Sequence, residues 1–257
     1  MSIIEVRDLE RRYARRDVHA LRGVSFDVEA GQRFGIVGES GSGKSTLVRL
    51  LAALDQPTAG TVSFQGRRID HLPERKLGFL RSELQIVFQD PMGSLDPRMR
   101  VADIISEPLG RRNPKLVDEL LAAVGLPADA AGRYPHQFSG GQRQRISIAR
   151  ALAPHPSVLI ADEPVSALDV SVRGQILDLL ASLVDQFALT LIFVSHDLGV
   201  VRHVCDRVAV MRRGEIVELG DVAQVYDAPQ HEYTRELLAA APNLRAELAR
   251  LSGGEDG

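Results

Sequence analysis

One stretch of this sequence has the residue types and spacing of a phosphate-binding loop: Gly38-Glu39-Ser40-Gly41-Ser42-Gly43-Lys44-Ser45-Thr46. Glycines let backbone amides approach phosphates closely, a lysine reaches the outer phosphates, and a serine hydroxyl can hold Mg²⁺. Every position that this motif specifies is matched, so we favour a phosphate loop over a chance glycine-rich turn. The sequence therefore predicts nucleotide binding, with Lys44 at the leaving phosphates and Ser45 at the metal.

Two acidic residues follow an apolar run that is typical of a buried strand. Asp162 and Glu163 come directly after Val158 to Ala161, where the strand is expected to end. Ligands of parallel sheets lie at such strand ends. Beside a phosphate loop, Asp162 is predicted to hold Mg²⁺, directly or through water, and Glu163 to orient and polarise the water that attacks the γ-phosphate. Without that loop, an exposed acidic strand end is the simpler interpretation.

A third segment predicts a second anion site at the start of a helix. Ser139 and Gln142 match a capping box, and Gly140 and Gly141 leave the first helical amides open to a ligand. Because the phosphate loop already serves the nucleotide of its own chain, we expect this helix to contact ATP bound to another copy. The pair of motifs thus predicts a dimer with shared nucleotides. A well-capped structural helix is the alternative, although it leaves two adjacent glycines unexplained.

Apolar periodicity predicts the elements that position these residues. A strand leads into the phosphate loop and a helix follows it, which is the context that the loop requires. The predicted strands are 3–6, 24–28, 33–37, 61–64, 158–161 and 191–194, the predicted helices are 44–54, 115–124, 140–153 and 172–187, and a hairpin joins 208–211 to 215–219. Proline-interrupted helix signals from residue 91 to residue 153 indicate a helical insertion.

Composition and charge exclude several classes of protein. The 257 residues are 44% hydrophobic and 25% charged, as in an ordinary globular α/β protein. A formal net charge of −3 gives no general attraction to nucleic acid. Cys205 is the single cysteine, which rules out an intrachain disulfide and favours a reducing cytosolic compartment. No apolar run reaches membrane-spanning length, so we expect any membrane role to come through a partner.

With these motifs in this order, nearly the whole chain resembles the nucleotide-binding subunit of ATP-binding cassette (ABC) transporters. The resemblance implies an α/β fold, a P-loop NTPase core with an N-terminal antiparallel β subdomain and an inserted α-helical subdomain. The implied bounds are residues 1–90 and 154–230 for the core and β subdomain, 91–153 for the helical subdomain, and 231–257 for a C-terminal helix and tail. ATP and Mg²⁺ are the implied ligands. Two ATP molecules would be held in a head-to-tail dimer, whose closure drives a transport cycle that hydrolysis resets.

The resemblance also assigns roles to individual residues. Gln89 matches the Q-loop residue, which touches Mg²⁺ or the attacking water, and His196 matches the switch histidine at the γ-phosphate. Asp169 closes a segment similar to the D-loop at the dimer interface, and Tyr13 matches the ring that stacks on adenine. Without the resemblance, Gln89 would be interpreted as a surface amide, His196 as a structural residue and Tyr13 as a half-buried core residue. The implied nucleotide contacts are Gly38, Ser40, Gly41, Ser42, Gly43, Lys44, Ser45, Thr46, Ser139, Gly140, Gly141 and Gln142.

A finer resemblance is to the group of importers for oligopeptides, dipeptides and nickel. It is carried by residues 87–91, 94–99, 134–138 and 231–235. The resemblance implies transmembrane permeases and a second ABC ATPase subunit as partners, an extracytoplasmic binding protein as an indirect one, and no nucleic acid. A heterodimer is our first expectation and a homodimer is the alternative, at the cytoplasmic face of the membrane. A soluble cassette ATPase that serves an enzyme complex, as in phosphonate breakdown, is the competing function.

Overall fold

The computed structural model describes residues 2–14 and 17–240, which form two compact units. Of these residues, unit 1 contains those up to Arg81 and from Thr190 onward, and unit 2 contains Ser82–Leu189. The subdomain bounds expected from the sequence, with a helical insertion at 91–153, stay a prediction. The expected tail after residue 240 and the basic pair Arg15-Arg16 lie outside the described residues.

The described residues contain ten strands and ten α-helices. The strands are β1 (Ser2–Tyr13), β2 (Val18–Glu29), β3 (Arg33–Val37), β4 (Ala59–Phe64), β5 (Arg67–Arg68), β6 (Leu84–Val87), β7 (Val158–Asp162), β8 (Thr190–Ser195), β9 (Arg207–Arg212) and β10 (Glu215–Asp221). The helices are α1 (Lys44–Leu51), α2 (Gly78–Glu83), α3 (Pro91–Ser94), α4 (Val101–Ser106), α5 (Pro114–Ala123), α6 (Gly140–Leu152), α7 (Val170–Gln186), α8 (Leu198–Val204), α9 (Val222–Asp227) and α10 (Glu232–Ala240).

Unit 1 contains an antiparallel sheet with the strand order β2-β1-β4-β5. The long β1 and β2 strands pair in register from Ile4↔Val28 to Val6↔Phe26, and the register shifts between Val6 and Leu9 and twice more beyond it. Asp8 lies in this bulge with a φ of 45°, and its amide donates to the Ser25 hydroxyl at 2.8 Å. The bulge adds one residue to the strand, so Leu9 is buried on the same side as Val6.

Unit 1 also contains four strands in the order β10-β9-β3-β8. β3 pairs parallel with both β8 and β9, and β10 pairs antiparallel with β9. All six residues of β8 are buried, as expected for a central parallel strand. A Cβ on Gly35 would lie 2.4 Å from Cγ1 of Val201, so this glycine permits close packing of α8 on β3. The register Val37↔Ser195 places the carboxyl ends of β3 and β8 side by side.

Unit 2 pairs β6 and β7 in parallel and surrounds them with helices. The register runs from Leu84↔Val158 to Val87↔Ala161. α6 packs against α3, α4, α5 and α7, and its apolar side chains are fully buried. The buried residues of α7 follow a helical period, which is why the sequence predicts this helix well. They are Ile176, Leu177, Leu180, Leu183 and Val184.

Cys205 lies in the core of unit 1 and is 8% exposed. Burial raises the pKa of its thiol, and the neighbouring charge of Asp206 raises it further. Because the thiolate is the reactive form, we expect Ellman's reagent at pH 8 to leave folded protein unlabelled and to label one thiol after unfolding in urea. Rapid labelling of one thiol in the folded protein would contradict this burial.

Among the described residues, no helix combines the length and apolar character needed to span a membrane.

Candidate nucleotide-binding site

The phosphate loop joins the end of β3 to the start of α1, as the sequence predicts. Gly38, Gly41 and Gly43 have φ values of 155°, 82° and 110°, a region that other residues rarely adopt. A Cβ on Gly38 would lie 2.2 Å from the Met211 carbonyl oxygen, and one on Gly43 2.7 Å from that of Ala20. The conformation of this loop therefore requires glycine at both ends.

Lys44 is the first residue of α1, yet its side chain turns back over the loop. It is 5% exposed, and its Nζ donates to the carbonyl oxygens of Gly38 at 2.6 Å and Glu39 at 3.0 Å. The Ser42 amide donates to the same Glu39 oxygen at 3.1 Å, which closes the first turn of the loop. The ammonium group is thus held inside the curve of the loop.

The loop fits an anionic ligand. The buried Ser42 hydroxyl has no hydrogen-bond partner among the described residues. α1 has no acidic residue in its first turn, and its N-cap residue Gly43 has no side chain that could cap it. The helix N-terminus, which favours negative charge, therefore carries no carboxylate from α1 itself. Ser40, Gly41 and Ser45 are exposed, and Thr46 is half-buried. An unpartnered buried hydroxyl beside a lysine and open amides is the chemistry of a phosphate site.

His196 follows β8 directly and is exposed. Because Ser195 pairs with Val37, this histidine and the start of the phosphate loop leave adjacent parallel strands at the same end. The Asp197 amide donates to the Ser195 hydroxyl at 3.0 Å, and the Asp197 carboxylate accepts from the Gly199 amide at 2.8 Å as the cap of α8. The backbone on both sides of His196 is therefore fixed by local bonds.

Tyr13 ends β1, and its ring is held from two directions. Its hydroxyl donates to Asp55 Oδ2 at 2.7 Å, and the Arg11 guanidinium lies over the ring, 4.4 Å from its centroid. Arg11 also forms an ion pair with Asp55 at 2.7 Å. Burial tends to raise the pKa of Asp55, but the bonds from Tyr13 and Gln56 and the charge of Arg11 hold it below its ordinary value. One ring face is thus already covered, and adenine stacking by Tyr13 stays a prediction.

In unit 2, three of the predicted residues lie at or just beyond the ends of the paired strands β6 and β7. Asp162 is the last residue of β7, and Val87 pairs with Ala161, so Gln89 and Glu163 lie two residues beyond that pair. Glu163 has a φ of 48°, which is uncommon for a residue other than glycine. The Ser166 amide and hydroxyl donate to its carbonyl oxygen at 3.3 and 3.0 Å. Strain of this kind concentrates at functional positions.

The segment from Ser139 to Gln142 forms the predicted capping box at the start of α6. The Gln142 amide donates to the Ser139 hydroxyl at 3.3 Å, and the Ser139 amide donates to the Gln142 side-chain oxygen at 3.0 Å. A Cβ on Gly141 would lie 2.6 Å from Cγ1 of Val172 in α7, whereas one on Gly140 has room. Close packing against Val172 therefore explains the glycine at position 141, which the sequence alone left unexplained.

Asp169 is the N-cap residue of α7 and is exposed, but its side chain makes no capping bond. Within the described residues, no group of three or more His, Cys, Asp or Glu side chains could by itself hold a metal ion. Mg²⁺ is usually bound through one or two carboxylates together with water and substrate phosphates.

Sequence reasoning did not identify Tyr233 as a neighbour of the phosphate loop. It lies in residues 231–235, which served only to support the resemblance to one group of importers. In the structure its hydroxyl accepts a hydrogen bond from the Glu39 amide of the phosphate loop at 3.1 Å. The distance along the chain, 194 positions, explains why no local signal pointed to it.

The family model described as ABC transporter matches residues 21–166, more than half of the chain. The chain belongs to the ABC transporter family. It is 49% identical to the oligopeptide transport ATP-binding protein AppF of Bacillus subtilis, a match that covers 95% of this chain and 79% of AppF. It is 53% identical to the glutathione import ATP-binding protein GsiA of Escherichia coli strain K12 over 88% of this chain, which is 38% of GsiA. The chain thus spans well under half the length of that relative.

Solved ABC cassettes have the same fold. CbiO1 of Clostridium perfringens, part of the ABC transporter complex cbiONQ, superimposes with a TM-score of 0.80 at 29% identity, covering 96% of this chain and 99% of cbiO1. MJ0796 in a dimeric post-hydrolysis state, bound to ADP and Pi, gives a TM-score of 0.77 at 30% identity over 85% of this chain and 98% of MJ0796. The predicted family, the α/β ABC ATPase fold and the ATPase activity are confirmed, and the ABC cassette binds nucleotide.

Proposed function

We propose that this chain is the ATP-hydrolysing subunit of an ABC importer for peptides. The observation that carries the proposal is the phosphate loop, in which Lys44 is held inside the curve of the loop beside the unpartnered Ser42 hydroxyl. AppF is named as an ATP-binding protein of oligopeptide transport and GsiA as one of import of glutathione, a tripeptide. These names support a peptide as cargo over nickel.

The proposed site divides its tasks among residues from several elements. Lys44 and the loop amides bind the β- and γ-phosphates of ATP, and Ser45, Gln89 and Asp162 hold Mg²⁺. The metal, when bound, neutralises charge that develops on the phosphate oxygens. Gln89 also contacts the attacking water, and Tyr13 stacks on adenine through the ring face that Arg11 leaves uncovered.

Hydrolysis is proposed to depend on Glu163 and His196. Glu163 orients and polarises the water for in-line attack on the γ-phosphate, and His196 contacts the γ-phosphate from the end of β8. The positive φ of Glu163 and the bonds from Ser166 to its backbone carbonyl support a fixed backbone at this position. The bonds around Asp197 support a fixed position for His196 in the same way.

A dimer is proposed to form around two nucleotides. Ser139 to Gln142 of one subunit contact the ATP held in the loop of the other, and Asp169 lies at the interface between subunits. The dimeric MJ0796 cassettes support this arrangement. Closure around ATP shifts the attached permease to its outward-open state, because ATP binds the closed dimer more strongly than the open one, and hydrolysis resets the cycle.

The proposed partners are two permease subunits and a second cassette, with an extracytoplasmic binding protein as an indirect partner, at the cytoplasmic face of the membrane. The names of the relatives contain the words transport and import. They give no support to the alternative of a soluble ATPase in an enzyme complex.

Affinity purification from the native host tests this proposal. The tagged Glu163→Gln chain, with Mg²⁺ and ATP, is expected to recover integral membrane permeases from solubilised membranes. An untagged culture controls for background. Recovery of a purely soluble enzyme complex from cytosol, with no permease from membranes, would overturn the importer function.

A further inference from the structure

A side chain of α10, the last helix among the described residues, contacts the phosphate loop. Tyr233, in α10, is 2% exposed, and its hydroxyl accepts a hydrogen bond from the Glu39 amide at 3.1 Å. Glu39 is the second residue of the loop. A residue 194 positions away in the sequence is therefore bonded to the backbone of the phosphate loop.

The Glu39 residue is held at both ends. Its amide is bonded to Tyr233, and its carbonyl oxygen accepts from Lys44 Nζ at 3.0 Å and from the Ser42 amide at 3.1 Å. When Lys44 turns to a phosphate, that carbonyl loses one of its donors. The bond from the Glu39 amide to Tyr233 does not involve Lys44, so it can hold the first turn of the loop when the lysine moves.

Tyr233 is itself rigidly placed. The Arg212 guanidinium lies 4.7 Å from its ring centroid, and the Tyr233 amide donates to His231 Nδ1 at 3.1 Å. The start of this segment is anchored on β10, because the Glu218 carboxylate accepts from the Gln230 and His231 amides at 2.8 and 3.0 Å. Desolvation raises the pKa of Tyr233, so its hydroxyl stays neutral at assay pH. An acceptor this well fixed can hold a loop amide in one orientation.

We propose that Tyr233 is a positioning residue for nucleotide binding, which fixes the Glu39 peptide and through it the first turn of the phosphate loop and the place of Lys44. The inference rests on the proposed function of this loop as the ATP site. Preorganising the loop lowers the cost of binding. Because the bond to Glu39 acts on the phosphate-binding loop, we expect its loss to change KM for ATP rather than kcat.

The test compares Tyr233→Phe, which removes only the hydroxyl, with Tyr226→Phe, which makes the same change on a ring that also lies under a guanidinium, that of Arg202 at 4.0 Å. Loss of one hydrogen bond is expected to raise KM for ATP about three- to tenfold in Tyr233→Phe, with kcat within about twofold of wild type. Tyr226→Phe is expected to keep the wild-type KM. An unchanged KM in Tyr233→Phe would overturn the proposal, even if Tm fell.

A second readout does not depend on hydrolysis. In the nucleotide-free protein, amide hydrogen exchange at Glu39 is expected to be faster in Tyr233→Phe than in wild type and unchanged in Tyr226→Phe. Equal exchange in all three proteins would overturn the assigned bond. Binding of a fluorescent ADP analogue to the wild type tests the proposed function separately from the role of Tyr233. If the wild type does not bind the analogue, the proposed function is contradicted.

Discussion

The Glu163→Gln variant is expected to bind ATP as wild type does and to hydrolyse it about 10²- to 10⁴-fold more slowly. Glutamine keeps the size and shape of the side chain but cannot accept a proton from water. The backbone at this position, with a φ of 48° and two bonds from Ser166, does not depend on the carboxylate and should be retained. Phosphate release measures the rate, and a fluorescent nucleotide measures binding.

The same variant should also accumulate the closed dimer, because hydrolysis no longer reopens it. Light scattering after gel filtration is expected to show a dimer with Mg²⁺ and ATP and a monomer without nucleotide. Glu119→Gln, on the exposed face of α5, makes the same chemical change and should hydrolyse ATP at the wild-type rate. Hydrolysis by Glu163→Gln at that rate would refute the assignment of Glu163.

Replacing Lys44 with alanine is expected to weaken ATP binding about ten- to hundredfold. The charged hydrogen bonds that Lys44 offers to phosphate contribute about 1.5–3 kcal/mol, and about 1.4 kcal/mol corresponds to a factor of ten in Kd. Titration calorimetry with ATP measures the change directly. Because hydrolysis requires bound ATP, phosphate release at low ATP concentrations should fall at least as much.

This variant also removes the bonds from Nζ to the Gly38 and Glu39 carbonyls of the nucleotide-free loop. A fall in Tm without nucleotide would therefore accompany the loss of binding. Lys76→Ala, at an exposed position of unit 1, is the matched control and should change neither quantity. Equal Kd values for Lys44→Ala and wild type would show that the loop does not bind the phosphates as proposed.

Apolar periodicity predicts the elements that carry the site, but not their lengths. The two N-terminal strands were predicted as 3–6 and 24–28, whereas β1 and β2 each have 12 residues. The alternation that a strand needs is interrupted at the Asp8 bulge, so the pattern looks shorter than the strand. The helix predicted to reach Leu54 ends at Leu51, because Ala53 adopts a φ of 50° and the chain turns.

Site features that arise within a local motif can be predicted from the sequence, whereas contacts between distant segments cannot. The capping box of Ser139 and Gln142 could be predicted because both residues lie within one turn of helix. Short elements such as β6 and α8 gave too few residues for a periodicity and were missed. The bond from the Glu39 amide to the Tyr233 hydroxyl joins segments far apart in sequence, as does the cluster of Arg11, Tyr13 and Asp55. No spacing rule predicts either contact.

The contact between Gly141 and Val172 has a mechanical consequence. A missing methyl group sets the spacing between the first turn of α6 and the first turn of α7, with Val172 Cγ1 only 2.6 Å from where a Cβ would stand. Close-packed segments cannot be displaced separately without opening a gap or a clash. Ser139 at one helix start and Asp169 at the other therefore shift together, and any neighbour that pushes on one of them is felt at the other.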